Sequence, residues 1–314
     1  MPRIEVRGVK LNVTEMAQRG RRRRAGDATP IVMIHGLAAS QAFWYAAGAQ
    51  FLTLLGPCLL YDLRGHGKSG TSESGYGVGD MAGDLAELMD LRAMPRAHII
   101  AHSFGGMIAL AFALRHPERV ASLTLVDVRV RPIQRKLSIP LNKAPPAVER
   151  RLAQIGIDLS KVSQHDDGVG YLKTVARIEV EAGEDAAELL ATIYRHPRLF
   201  RTRRNAERWI QLTERVSLIA DLDREPFTAA DLTRLEMPML ILVGGRSTTL
   251  ASAQKLKRLC PHAYLREVPE VGHFFPMSQP RLFLQPTLRF IRRVNQGLAR
   301  TRRPGAEGPR AAKG

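Results

Sequence analysis

The chain alternates between short, unbroken apolar runs and longer amphipathic stretches. Ile31-Val32-Met33-Ile34, Cys58-Leu59-Leu60-Tyr61, Ala97-His98-Ile99-Ile100, Ser122-Leu123-Thr124-Leu125-Val126 and Met239-Leu240-Ile241-Leu242-Val243 are such runs. Most of them end in a polar or glycine-rich turn, which predicts strands buried on both faces. Residues 78 to 92 place Met81, Leu85, Leu88 and Met89 on one helical face, and residues 104 to 115 form an apolar helix that stops before Pro117. Strands alternating with helices predict a mostly parallel sheet covered by helices on both sides. Residues 3 to 16 alternate around Gly8 as an opening hairpin would, and Tyr264-Leu265-Arg266-Glu267-Val268 alternates as a strand near the sheet edge.

Between about residue 129 and residue 232 the strand rhythm gives way to helical, charged sequence that begins around Pro140, Pro145 and Pro146. The predicted organisation is therefore a core in two parts, 1–128 and 233–296, with a helical cap at 129–232 and a basic tail at 297–314. That tail is rich in Arg, Gly, Pro and Ala and has too little apolar surface to order itself.

Composition narrows the class. The 314 residues are 45% hydrophobic and 25% charged, globular proportions that allow one large domain with an insertion. No apolar run reaches the roughly 18 to 20 residues needed to cross a bilayer. The N-terminus alternates like a strand and lacks the pattern of a secretory signal, so a cytoplasmic location is expected. The two cysteines, Cys58 and Cys260, sit at expected buried element ends and read as free thiols. The formal charge is +17, with arginines concentrated at Arg21 to Arg24, at Arg201, Arg203 and Arg204, and in the tail. Without zinc-finger spacing, an aromatic and basic stripe or a helix-turn-helix, these read as solvated segments, and no specific nucleic-acid partner is expected.

The strongest chemical signal is Ala101-His102-Ser103-Phe104-Gly105-Gly106, between an apolar strand and a helix. A nucleophile at that turn needs small residues two positions either side so that the chain folds tightly and exposes its oxygen, and Ala101 and Gly105 meet the demand. The helix that follows directs backbone amides at the same place. The plainer alternative is an ordinary turn with a capping serine. Ser103 would need a base, and Val271-Gly272-His273-Phe274-Phe275, after the last strand, supplies His273 in a loop suited to reaching over the sheet end. His102 is expected to point away from Ser103, and His35 to shape its loop. His116, His165, His196 and His262 read as surface or helix-end residues.

Taken together, His35-Gly36, the run Asp62-Leu63-Arg64-Gly65-His66-Gly67-Lys68-Ser69, the Ser103 elbow and Gly272-His273 resemble the α/β-hydrolase superfamily in identity, order and spacing. The resemblance covers almost the whole chain apart from the cap and tail, and it implies an eight-stranded, mostly parallel sheet. It also implies an oxyanion hole from the backbone N–H groups of Leu37 and Phe104, and a structural, non-chemical role for the segment 62–69. A serine at the elbow, where dehalogenases and epoxide hydrolases of this fold carry aspartate, argues against those activities. The activity expected is hydrolysis of a carboxylic ester or related small acyl substrate with no metal or organic cofactor. Trp209, Phe200, Tyr171 and Tyr194 of the cap are candidates for an apolar pocket.

One departure stands out. Most relatives carry their acid a few residues beyond the glycine that ends the penultimate strand, yet here the stretch reads Gly244-Gly245-Arg246-Ser247-Thr248-Thr249, with Ser247 in the expected place. A hydroxyl cannot stabilise an imidazolium as a carboxylate does. Asp127, at the end of the strand that follows the nucleophile helix, is the candidate replacement, and some superfamily members place their acid there. The alternatives are that Asp127 caps its strand and the site lacks a carboxylate; Glu267 and Glu270 are expected to face solvent. Two other functions stay open: a cofactor-independent dioxygenase or carbon–carbon-cleaving enzyme that uses a His and Asp pair as base, and a non-catalytic ligand-binding protein.

Overall fold

The computed structural model describes residues 3–19, 28–136, 144–159, 168–193, 203–215 and 218–297. The four-arginine run at 21–24, Pro140, His165, Tyr194, His196, Phe200, Arg201 and nearly all of the basic tail lie outside them.

The chain opens with a hairpin, β1 (Arg3–Val6) and β2 (Val9–Met16). Its two connecting residues, Arg7 and Gly8, both have positive φ (45° and 75°), the conformation that matches the twist of a tight hairpin. Six further strands follow: β3 (Ile31–Ile34), β4 (Cys58–Tyr61), β5 (Ala97–His102), β6 (Val120–Val126), β7 (Met239–Gly244) and β8 (Tyr264–Val268). They form one eight-stranded sheet in the order β1-β2-β4-β3-β5-β6-β7-β8. β1 and β2 pair antiparallel, as do β2 and β4, and every pairing from β4 onward across the sheet is parallel. β8 lies at the far edge, and its alternating pattern reflects that exposure, whereas β3 to β7 are buried throughout.

Strand alternation sorts the core into two layers. Val32, Ile34, Ile99 and Ala101 face one side and Ile31, Met33 and Ile100 the other. The first layer is covered by α3 (Val78–Leu91), which buries Met81, Leu85, Leu88 and Met89, and by α4 (Phe104–Arg115). The second is covered by α1 (Ala42–Ala46) and α2 (Ala49–Leu52), and from the C-terminal side by α11 (Phe275–Ser278) and α12 (Pro280–Asn295); Trp44, Phe275 and Phe283 are among its fully buried side chains. The remaining core helix, α10 (Leu250–Leu259), joins β7 to β8.

Between β6 and β7 the described elements include α5 (Pro146–Gln154), α6 (Val169–Glu181), α7 (Ala186–Ile193), α8 (Arg203–Arg215) and α9 (Leu218–Asp223). α9 is fastened to the core: the fully buried Asp221 accepts hydrogen bonds from the backbone N–H groups of Gly75 (2.8 Å) and Tyr76 (2.9 Å). Trp209 of α8 is buried with its ring 5.7 Å from that of His66, so it packs against the core and does not line the cavity described below. Cys58 and Cys260 are buried free thiols. No helix among the described residues is long and apolar enough to cross a membrane.

Candidate active site

Ser103 sits at the point where β5 turns into α4, with φ 53° and ψ −124°. An L-residue in that region is strained, by about 1–3 kcal/mol. The turn is possible because α4 approaches β3 very closely: a Cβ on Gly105 would lie 2.5 Å from the carbonyl oxygen of His35 and 2.6 Å from that of Ile34. Any larger residue would push the helix away from the sheet.

The loop that leads to Leu37 is held by its own histidine. His35 is fully buried, Leu63 donates its N–H to His35 Nε2 at 3.0 Å, and His35 Nδ1 therefore carries the proton it shares with the Gly36 carbonyl at 2.8 Å. The segment after β4 is equally tied. Asp62 accepts from the Asn12 side chain (2.7 Å) and from the backbone N–H groups of Gln41 (2.7 Å) and Lys68 (2.8 Å). Those bonds join β2, the loop before α1 and the Gly67 turn into one frame below the site.

His273 arrives by a crossing of backbones. A Cβ on Gly244 would lie 2.4 Å from the carbonyl oxygen of Val271, so only glycine at the end of β7 lets the loop after β8 pass over it. Arg246 N–H donates to the same Val271 oxygen at 3.0 Å, and the ring of His273 follows two residues later.

Asp127 lies at the end of β6, where Val126 pairs with Leu242 of β7. Its Oδ1 is 2.6 Å from His273 Nδ1, although 146 residues separate the two. The carboxylate is fully buried and accepts three further bonds: Ser247 Oγ (2.5 Å) and Thr249 Oγ1 (2.7 Å) donate to Oδ1, and Gly244 N–H (2.8 Å) donates to Oδ2. Burial alone would push this acid up, but the charge of His273 and the hydrogen bonds from His273, Ser247 and Gly244 outweigh it and hold the carboxyl at about 2. Asp127 itself has φ 51°, a second strained position at the same sheet edge.

Ser103, His273, Leu37 and Phe104 line one cavity of about 200 Å³, and Asp127 stands behind its wall. Apolar side chains, including Phe43, Met107, Leu172 and Phe274, make up much of the remaining lining, together with Tyr171. Of the four aromatics expected in a pocket, Tyr171 is there, Trp209 is not, and Tyr194 and Phe200 fall outside the described residues.

His102 has a contact that the sequence did not show. It projects to the α1 face of the sheet, where it stacks on Phe43 with ring centroids 4.3 Å apart, yet it also lines the cavity. Its ring centroid is 4.6 Å from that of His273, and Nε2 lies 3.1 Å from the His273 carbonyl oxygen. Pointing away from Ser103 across the strand does not take it out of the site, because His273 comes in over the same edge. Burial, with the neighbouring charge of His273, lowers its pKa to about 3, so it is neutral.

Sequence reasoning singled out Ser247 for what it lacks and passed over Thr249, whose hydroxyl serves the same carboxylate. It did not connect Arg129, Arg131 or Arg246 with the cavity, which all three line. The available signal was a serine and a threonine two apart just beyond a buried strand. Among the described residues, no three His, Cys, Asp or Glu side chains converge as metal ligands.

A model of the alpha/beta hydrolase fold family matches residues 29–280. A protein of Variovorax paradoxus named as a carbamate hydrolase, RutD, is 37% identical over 107 residues, 34% of this chain and 40% of that protein. The protein of the same name from Caulobacter segnis is 29% identical over 272 residues, 83% of this chain and 90% of its own length. Among solved structures, a thermophilic esterase from Thermogutta terrifontis superposes with a TM-score of 0.58 at 21% identity, covering 94% of this chain and 99% of that one.

Proposed function

The chain belongs to the α/β-hydrolase fold family, and from that membership we propose a serine hydrolase that cleaves a carboxylic ester or related acyl substrate through an acyl-enzyme. Ser103 Oγ attacks the carbonyl carbon while His273 Nε2 takes its proton. The N–H groups of Leu37 and Phe104 receive the developing oxyanion, and His273 returns the proton to the departing oxygen or nitrogen. Water repeats the sequence to release the acid and free Ser103. Asp127 touches neither substrate nor serine; it orients the ring and stabilises the imidazolium. No step calls for a metal or an organic cofactor.

The observation that carries this reading is the 2.6 Å contact between His273 Nδ1 and Asp127 Oδ1. With Nδ1 committed to the carboxylate, Nε2 is the nitrogen left for Ser103, which lines the same cavity. The carbamate hydrolases it resembles fall within the same chemistry, since a carbamate also presents a carbonyl carbon bonded to a departing heteroatom. We read residues 129–232 as a cap that sets substrate choice, the flanking segments 1–128 and 233–296 as the catalytic core, and the enzyme as cytoplasmic.

The test is active-site labelling with a fluorophosphonate, read by intact mass. The wild type is expected to gain one adduct and Ser103→Ala none. A folded wild type that stays unlabelled would remove the acyl-enzyme mechanism.

A further inference from the structure

Three arginines, Arg129, Arg131 and Arg246, are among the residues that line the cavity, and no Asp or Glu is among the described residues that line it. Asp127 is fully buried and already receives four hydrogen bonds, so it is committed to His273, Ser247, Thr249 and Gly244 and not to the arginines. Tyr171 adds no negative charge, because burial raises its phenol to about 12. The cavity lining therefore combines basic and apolar residues, with no acidic residue among those described.

The arginines come from the two strand ends that carry the candidate chemistry. Arg129 follows Asp127 by two residues and donates to the carbonyl oxygens of Gln134 (3.1 Å) and Arg135. Arg131 pairs with Asp223 at 3.1 Å and stands 3.6 Å from Glu225, and both of those carboxylates are exposed. Arg246 adjoins Ser247 and pairs with Glu270, both side chains lying mostly in solvent. The Arg246 pair, open to water on both sides, is of the weak kind, whereas Arg131 is only 24% exposed and also donates to the Leu222 carbonyl oxygen. A planar guanidinium matches a carboxylate with two parallel hydrogen bonds.

We propose that this cavity selects acyl substrates carrying a carboxylate or similar small anionic group, which Arg129, Arg131 and Arg246 hold while the reacting carbonyl lies against Ser103. This rests on the hydrolase reading above for the reaction and on the arginine lining for the substrate class. The size agrees: about 200 Å³ is below the roughly 300–1,000 Å³ usual for small-molecule sites, which suits a short anionic ester better than a long acyl chain.

The experiment compares 4-acetoxybenzoate with its neutral methyl ester, each rate divided by its uncatalysed hydrolysis. The wild type is expected to favour the anion by roughly ten-fold in kcat/KM, and Arg129→Gln, Arg131→Gln and Arg246→Gln each to lower that ratio several-fold. Added salt lowers it too. Arg266→Gln, on exposed β8 and away from the cavity, removes the same charge and leaves the ratio unchanged. A ratio near one, or one that no cavity arginine alters, overturns the proposal. Binding of benzoate and benzamide to Ser103→Ala separates the two ideas. Preference for benzoate that the arginine variants abolish supports the anion site even where no ester is cleaved, and equal binding of the two overturns it even where esters are cleaved.

Discussion

Ser247 donates its hydroxyl hydrogen to Asp127 Oδ1 across 2.5 Å, from the position where the resemblance to this fold predicts the carboxylate itself. The expected places of carboxylate and hydroxyl are exchanged. The carboxylate stands at the end of β6, and the end of β7 supplies hydroxyl donors from Ser247 and Thr249. Three donors besides His273 then stabilise the ionised form.

That exchange is expected to be reversible. Asp127→Asn should slow fluorophosphonate labelling by roughly a thousand- to ten-thousand-fold with little loss of folded protein, since an amide cannot stabilise the imidazolium. Adding Ser247→Asp to that variant should recover at least about ten-fold, because an aspartate reaches one bond further than serine from the same Cα. Labelling rates of the single and double variants make the comparison. A double variant as slow as Asp127→Asn would mean that the acid works only from β6.

Strain at the elbow predicts a trade between stability and activity. Ser103→Gly removes the penalty of φ 53° and should raise the unfolding free energy by about 1 kcal/mol while abolishing labelling. Ser103→Ala keeps the Cβ and the strain, and should be no more stable than wild type. Urea denaturation of the three proteins distinguishes them; a glycine variant less stable than the alanine one would contradict the strain.

Acid sensitivity follows from three buried histidines. Burial lowers His98 to about 4 and, with a neighbouring histidine in each case, His66 and His102 to about 3. All three are neutral in the fold, whereas an unfolded chain protonates them near pH 6.5. Below that pH the unfolded chain takes up protons that the native state does not, so stability is fully present above about 6.5 and falls toward pH 4. The slope reaches roughly 4 kcal/mol per pH unit for the three together. Asp127, held at about 2, weakens the fold only at still lower pH, between about 4 and 2. Urea midpoints from pH 7.5 to 4.5 measure the slope, and a flat profile would place these rings in contact with water.

Much of the fold is legible in the chain because the signals are local. Continuous apolar runs mark β3 to β7, and the helix expected over 104 to 115 is the one observed, bounded by the Ser103 turn and Pro117. The small residues around Ser103 and the glycine before His273 likewise announce a turn and a loop by sterics that neighbouring residues set. Asp127 could be named from its strand end, but its contact with His273 could not, since β6 and β7 become neighbours only through the order of the sheet. The donation from Thr249, the position of His102 against His273 and the gathering of Arg129, Arg131 and Arg246 on one cavity have the same origin. Periodicity along a chain reports which face of an element is buried, while the partner that each side chain meets depends on strand order, register and the crossing of backbones at Gly244. Local sequence determined the elements and the candidate groups of this protein, and only the packing of distant strand ends decided which of those groups touch.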